Sequence, residues 1–139
     1  VDEAEKYDVI VGIEGGVNHP IYSPKLMKNL LDHVNSPNLQ VIFDPVNYLT
    51  IDNYQNQDEI IHEAFELFGE RIVIVHAKDF VVQGKELQTV PVGKGLLNYD
   101  TVMKRIKSKN PLVPILMEET KEPYINEGMD YLKQKYLQA

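Results

Sequence analysis

Four short apolar runs set the limits on what this chain can fold into. They are VIVGIE at 9–14, LQVIFDPV at 39–46, RIVIVHAKDF at 71–80 and VPILMEE at 113–119. Each is rich in consecutive aliphatic, mostly β-branched residues, the pattern of a strand hidden on both faces. Helix-length segments follow them: SPKLMKNLLDHV (23–34), QDEIIHEAFELFG (57–69), NYDTVMKRIKS (98–108) and EGMDYLKQKYL (127–137). Ser23 ahead of Pro24 reads as an N-cap with proline at the first helical position, Asn98 as a second cap, and Gly69 as a helix end. A longer connection containing TVPVGKG joins the third run to the third helix.

Strand and helix in strict alternation imply a parallel sheet covered by helices. The two main architectures of that kind are a doubly wound open sheet and a (β/α)8 barrel, and four units amount to half of such a barrel. A length of 139 residues fits one core, so a single compact unit at most is expected. The chain opens at Val1, without an initiator Met and directly in the helix-like DEAEKY, which reads as part of something longer.

Composition narrows the function. There is no cysteine, so disulfides, thiolate zinc sites and a cysteine nucleophile are excluded. No apolar run approaches the roughly 20 residues of a membrane span and no signal peptide precedes the first strand, so a cytoplasmic protein without a membrane partner is expected. Net charge is −7, from 14 basic and 21 acidic side chains, which argues against a nucleic-acid partner because phosphate contacts call for the opposite sign.

All four runs end alike. The first ends in Glu14, the second reaches Asp44, the third His76, and the fourth Glu118 and Glu119. Strand side chains alternate faces, so Gly12 and Glu14, Ile42 and Asp44, Ile74 and His76, and Leu116 and Glu118 form four matching pairs, with Glu119 turned away. The C-terminal ends of parallel strands share one edge, where α/β enzymes hold their active sites. Three carboxylates and an imidazole converging there would repel one another without a cation among them. That donor set suits a fairly hard divalent ion, Mn²⁺, Mg²⁺ or Co²⁺, with Zn²⁺ also compatible. Such an ion acts as a Lewis acid on a carbonyl or alkoxide. His33 and His62 fall within helices and read as surface or packing residues. His19, in a loop, is a candidate substrate contact. Lys78 shares parity with His76 and either reaches a substrate hydroxyl or phosphate or pairs with a nearby carboxylate such as Asp79. Gly93-Lys94-Gly95 either offers backbone N–H groups to a phosphate or is a plain turn before the Asn98 cap.

At these residues the chain resembles the xylose isomerase-like TIM-barrel superfamily, which holds sugar phosphate isomerases and epimerases and also endonuclease IV. EKYDVIVGIEGG, SPNLQVIFDPVNYL, IVIVHAKDF and VPILMEE resemble its strands five to eight, with PVGKG before a helix. The resemblance implies that residues 1–139 form a single partial (β/α)8 barrel domain, strands five to eight with their helices, and that Glu14, Asp44, His76 and Glu118 bind one divalent metal. It further implies that Glu14 and Glu118 exchange a substrate proton next to a metal-bound carbonyl, with a small sugar or sugar phosphate as partner. Asn47 stands where such epimerases often place a histidine, and can hydrogen-bond a hydroxyl without shuttling a proton. Val81 and Val82 occupy the region of a substrate-binding arginine, and the further His and Asp ligands of a three-zinc endonuclease are missing. The implied function is a metal-dependent sugar or sugar-phosphate isomerase or epimerase. The alternatives are a polyol dehydratase on the same metal site, or a non-catalytic half-barrel acting as a ligand-binding or assembly module. A half-barrel leaves two parallel edges unpaired, so either the missing N-terminal half or a homodimer partner is expected.

Overall fold

The computed structural model describes all residues, 1–139. The elements in chain order are α1 (Asp2–Lys6), β1 (Val11–Glu14), α2 (Pro24–Val34), β2 (Leu39–Phe43), α3 (Gln57–Phe68), β3 (Ile72–Ala77), β4 (Asp79–Gln83), β5 (Glu86–Val90), α4 (Tyr99–Lys109), β6 (Ile115–Met117) and α5 (Ile125–Gln138). The sheet order is β1-β2-β3-β6, every pair parallel, which is the expected half-barrel wall of four βα units.

Local chemistry places the helices. The Ser23 hydroxyl accepts from the Leu26 N–H at 3.4 Å, satisfying one of the first-turn donors of α2, while Pro24 has no N–H to satisfy. Asn98 caps α4 in the same way, accepting from the Thr101 N–H. Gly69 ends α3 differently from expectation: its φ is −54°, and the chain tightens into a 3-10 turn over Gly69–Arg71.

The helices cover one face of the sheet. Leu39, Val41 and Phe43 of β2 are buried there, alternating with the less buried Gln40 and Ile42. The Phe43 ring meets Phe65 and Phe68 of α3 edge-on, at 5.5 and 5.9 Å between centroids. Truncating a side chain buried to this degree costs about 3–5 kcal/mol. The other face carries Gly12, Ile42, Ile74 and Leu116 and is open; Leu116 is 48% exposed. The expectation of strands hidden on both faces therefore holds for one face of this chain, because half a barrel wall cannot close over its own concave side.

All four strands are shorter than the runs read from the sequence, and two of these differences bear on the site. The run 71–80 is not one strand: it breaks at Lys78, and Asp79 opens an antiparallel hairpin, β4 with β5, inside what read as an unstructured connection. Its two-residue turn, Gly84-Lys85, has positive φ at the glycine alone (64°), the arrangement that suits a glycine-first tight hairpin. The fourth run pairs only over Ile115–Met117, leaving Glu118 and Glu119 beyond the ladder, Glu119 with a φ of 53°. No helix is long and apolar enough to cross a membrane.

Candidate metal centre

Register explains how four strand ends make one site. Glu14 is level with Ile42, and Ile42 with Ile74. Phe43 pairs with Val75, so the next row sets Asp44 beside His76, and His76 is level with Leu116. Glu118 comes one same-face step later. The donors thus span three rows: the two short side chains occupy the middle row, and the longer glutamates reach inward from either side. One donor atom each from Glu14, Asp44, His76 and Glu118 lies within 4.8 Å of the others. His76 Nδ1 is 3.1 Å from Glu14 Oε1 and 3.1 Å from Glu118 Oε1.

Asp44 is the deepest member, with its side chain wholly buried. Its Oδ1 accepts from the N–H groups of Val46 (2.9 Å) and Asn47 (3.3 Å), which a 3-10 turn over Val46–Tyr48 folds back onto it. Its Oδ2 accepts no backbone N–H and has Lys78 Nζ at 2.9 Å. Burial pushes the Asp44 carboxyl above the usual carboxylate range, and Lys78 only partly opposes this. Three carboxylates around one ammonium leave the cluster short of positive charge, a condition that a divalent cation relieves. Three carboxylates and one imidazole nitrogen fit a divalent ion of the Mg²⁺ or Mn²⁺ kind, with water and substrate oxygens completing its shell.

The remaining predicted residues fall into two groups. Asn47 and Lys78 join the cluster: Asn47 Nδ2 donates to Glu14 Oε1 at 3.1 Å, and Lys78 donates to Asn47 Oδ1 at 3.2 Å while lying 3.0 Å from Glu118 Oε2. Burial works to lower the Lys78 pKa, yet Asp44 and Glu118 outweigh it and raise the value, keeping the ammonium charged. Lys78 therefore pairs with Asp44 and Glu118, where the sequence had suggested Asp79 as its neighbour. His19 is exposed and stands apart from the donors, lining a crevice with Asn18, Asn47, Leu87 and Thr89.

Three features escaped the sequence reading. Asp79 is buried and accepts four backbone N–H groups, from Phe80 and Leu97 on Oδ1 and from Gly93 and Gly95 on Oδ2, each at 2.9–3.0 Å. The Gly93 and Gly95 amides are thereby committed to Asp79, so this loop is the plain turn of the two readings. Tyr48 buries its hydroxyl against Gly15, next to the site; burial, then Glu14 and Asp44, push its pKa up, so it stays neutral. Tyr99 Oη donates to the Lys78 carbonyl at 2.8 Å, steadying the backbone at the strand break. The hairpin had a legible signal, since Gly-Lys flanked by VVQ and ELQTV is a two-residue turn between strand-forming residues.

Comparison with known proteins agrees with this geometry. The family described as xylose isomerase-like TIM barrel matches residues 1–135. The 3-oxo-isoapionate decarboxylase of Pectobacterium atrosepticum is 28% identical over 111 residues, covering 76% of this chain and 37% of that protein. A xylose isomerase domain protein from Planctomyces limnophilus superposes with a TM-score of 0.74 at 20% identity, over 99% of this chain and 50% of that one. A xylose isomerase-like TIM barrel protein from Mycobacterium smegmatis, in complex with magnesium, superposes with a TM-score of 0.75 at 14% identity, over 99% and 47%. The chain thus spans about half or less of the length of the proteins it matches. From the match over nearly its whole length, together with the half-barrel wall and its cluster of donors, the chain belongs to the xylose isomerase-like TIM-barrel family.

Proposed function

We propose that this chain forms part of a divalent-metal-dependent enzyme that moves a proton next to a carbonyl of a polyhydroxylated substrate, as a sugar or sugar-phosphate isomerase or epimerase does. The observation that carries this reading is the wholly buried Asp44 amid three further metal-capable side chains, one donor atom of each within 4.8 Å of the others. Glu14, Asp44, His76 and Glu118 would hold the ion, which when bound supplies Lewis-acid polarisation of a carbonyl. Glu14 and Glu118 are the acid/base pair. They come from the ends of the two edge strands of the sheet, each brings an oxygen to 3.1 Å from His76 Nδ1, and each side chain is about a third exposed (32% and 37%), open to a substrate. Asn47, Lys78 and His19 are the substrate contacts, with Asn47 and His19 lining the adjoining crevice.

The unpaired edges β1 and β6 imply a second half for the wall, either an N-terminal half-barrel or another copy of this chain. Beside β6, Leu112 and Leu137 are 91% and 79% exposed along an apolar groove that such a half would cover. A second chemical reading, loss of CO₂ from an oxo acid, is favoured by the ammonium of Lys78 among the donors.

Calorimetric titration of Mn²⁺ into the protein as its own gene encodes it tests the site, beside Asp44→Asn and His76→Ala. Stoichiometric binding lost in both variants is expected, and binding that survives both would dismiss the metal centre. A panel of ketoses and their phosphates in D₂O then reads deuterium incorporation next to the carbonyl. A metal-loaded protein that exchanges no proton in any of them would dismiss the isomerase or epimerase reading.

A further inference from the structure

Asp44 has only one oxygen to give. Its Oδ1 is held by the Val46 and Asn47 amides, so any ion at this site must take Oδ2, the atom that already has Lys78 Nζ at 2.9 Å. Glu118 Oε2, 3.0 Å from the same ammonium, is contested in the same way. A divalent ion bonded to Asp44 Oδ2 would sit within contact range of the Lys78 charge, and like charges so close repel. The Lys78 side chain can yield, because it also donates to Asn47 Oδ1 and keeps that hydrogen bond on leaving the carboxylates. Asn47 also lines the crevice shared with His19 and Thr89, so an ammonium that leaves Asp44 while following Asn47 faces that crevice.

We propose that Lys78 and the divalent ion compete for Asp44 Oδ2 and Glu118 Oε2, and that the displaced ammonium then takes the carboxylate of a hydroxylated oxo-acid substrate. This rests on the metal reading above and adds the substrate class. Charge supports it: three carboxylates, a divalent ion and one lysine sum to neutrality, and the lysine is the one cationic side chain in the cluster. A single ammonium suits a monoanionic carboxylate. A phosphate dianion draws on several donors, and the amides of the candidate phosphate loop, Gly93 and Gly95, are bonded to Asp79.

The test compares wild type, Lys78→Met and Lys78→Gln, stripped by chelator and titrated with Mn²⁺. Removing the competitor should tighten Mn²⁺ binding at least about tenfold, the size of effect that close charges produce. Mn²⁺-loaded wild type should bind erythronate at least about tenfold more tightly than erythritol, a preference that both variants lose. Should the variants fold poorly, acetylation of Lys78 in the wild-type protein, read by mass spectrometry, should rise several-fold on adding Mn²⁺. Unchanged or weaker Mn²⁺ affinity in folded variants, an erythronate preference that is absent or outlives the lysine, or acetylation indifferent to Mn²⁺ would each overturn the proposal. If Mn²⁺ still binds and depends on Asp44 and His76, only the role of Lys78 has failed. If Mn²⁺ binds to no form, the metal reading falls with it.

Discussion

Asp44 and Asp79 are both fully buried aspartates just beyond the C-terminal ends of the neighbouring strands β2 and β3, and they are in opposite conditions. Asp79 receives four backbone N–H groups, two on each oxygen, which stitch the start of β4 to the loop before α4. Asp44 receives two, both on Oδ1, and its Oδ2 faces the cluster with the Lys78 ammonium beside it. Burial alone therefore says little about a carboxylate's role. What separates a structural anchor from a candidate metal ligand is whether backbone donors have already saturated it.

The difference can be broken from either side. The largest effect should come from Asp79→Ala, which leaves four amides without their acceptor and should cost on the order of 3–5 kcal/mol in urea unfolding. An unchanged midpoint there would show that Asp79 anchors nothing. Asp44→Asn should do the reverse. Mn²⁺ affinity should fall at least about 100-fold while stability in chelator shifts by about 1 kcal/mol or less, and calorimetry with thermal melts reads both. Gly95→Ala sharpens the contrast more gently. The new Cβ would press on the Asp79 carboxylate and the Phe80 carbonyl, for a cost of about 1–3 kcal/mol with Mn²⁺ affinity retained.

The smallest effect concerns pH. The Asp44 carboxyl binds its proton more tightly folded than unfolded, because burial raises its pKa beyond what Lys78 offsets. In chelator its contribution to stability is thus greatest in acid and declines as pH rises from the ordinary carboxylate value through the raised folded value. Thermal melts of wild type against Asp44→Asn should show wild type losing ground across that window, while Mn²⁺ affinity climbs as Asp44 ionises. Parallel curves for the two proteins would remove the raised pKa from the account.

Much of the candidate site was legible beforehand. Glu14, Asp44, His76 and Glu118 each follow a same-face apolar or glycine partner two residues earlier, so strand parity alone aims them together. The partners of Lys78 were not legible. Asp79 is its neighbour in sequence, yet the chain breaks strand at Lys78 and sends Asp79 into the hairpin, while the lysine turns toward a carboxylate 34 residues back by the numbering, Asp44. The hairpin itself was readable from Gly84-Lys85 between strand-forming flanks, and escaped because the apolar run 71–80 looked continuous.

The sequence by itself determined the alternation of strand and helix and which four candidate donors share a face at the strand ends, because periodicity and side-chain alternation are properties of local backbone geometry; the half-barrel rested on the family resemblance. Only the tertiary structure decided which polar groups are already satisfied: that the Gly93 and Gly95 amides belong to Asp79, that Lys78 stands between Asp44 and Glu118, and that one oxygen of Asp44 accepts no backbone N–H. Hydrogen bonds and charge pairs are made through space, between residues brought close by register and packing, and their spacing along the chain does not encode them.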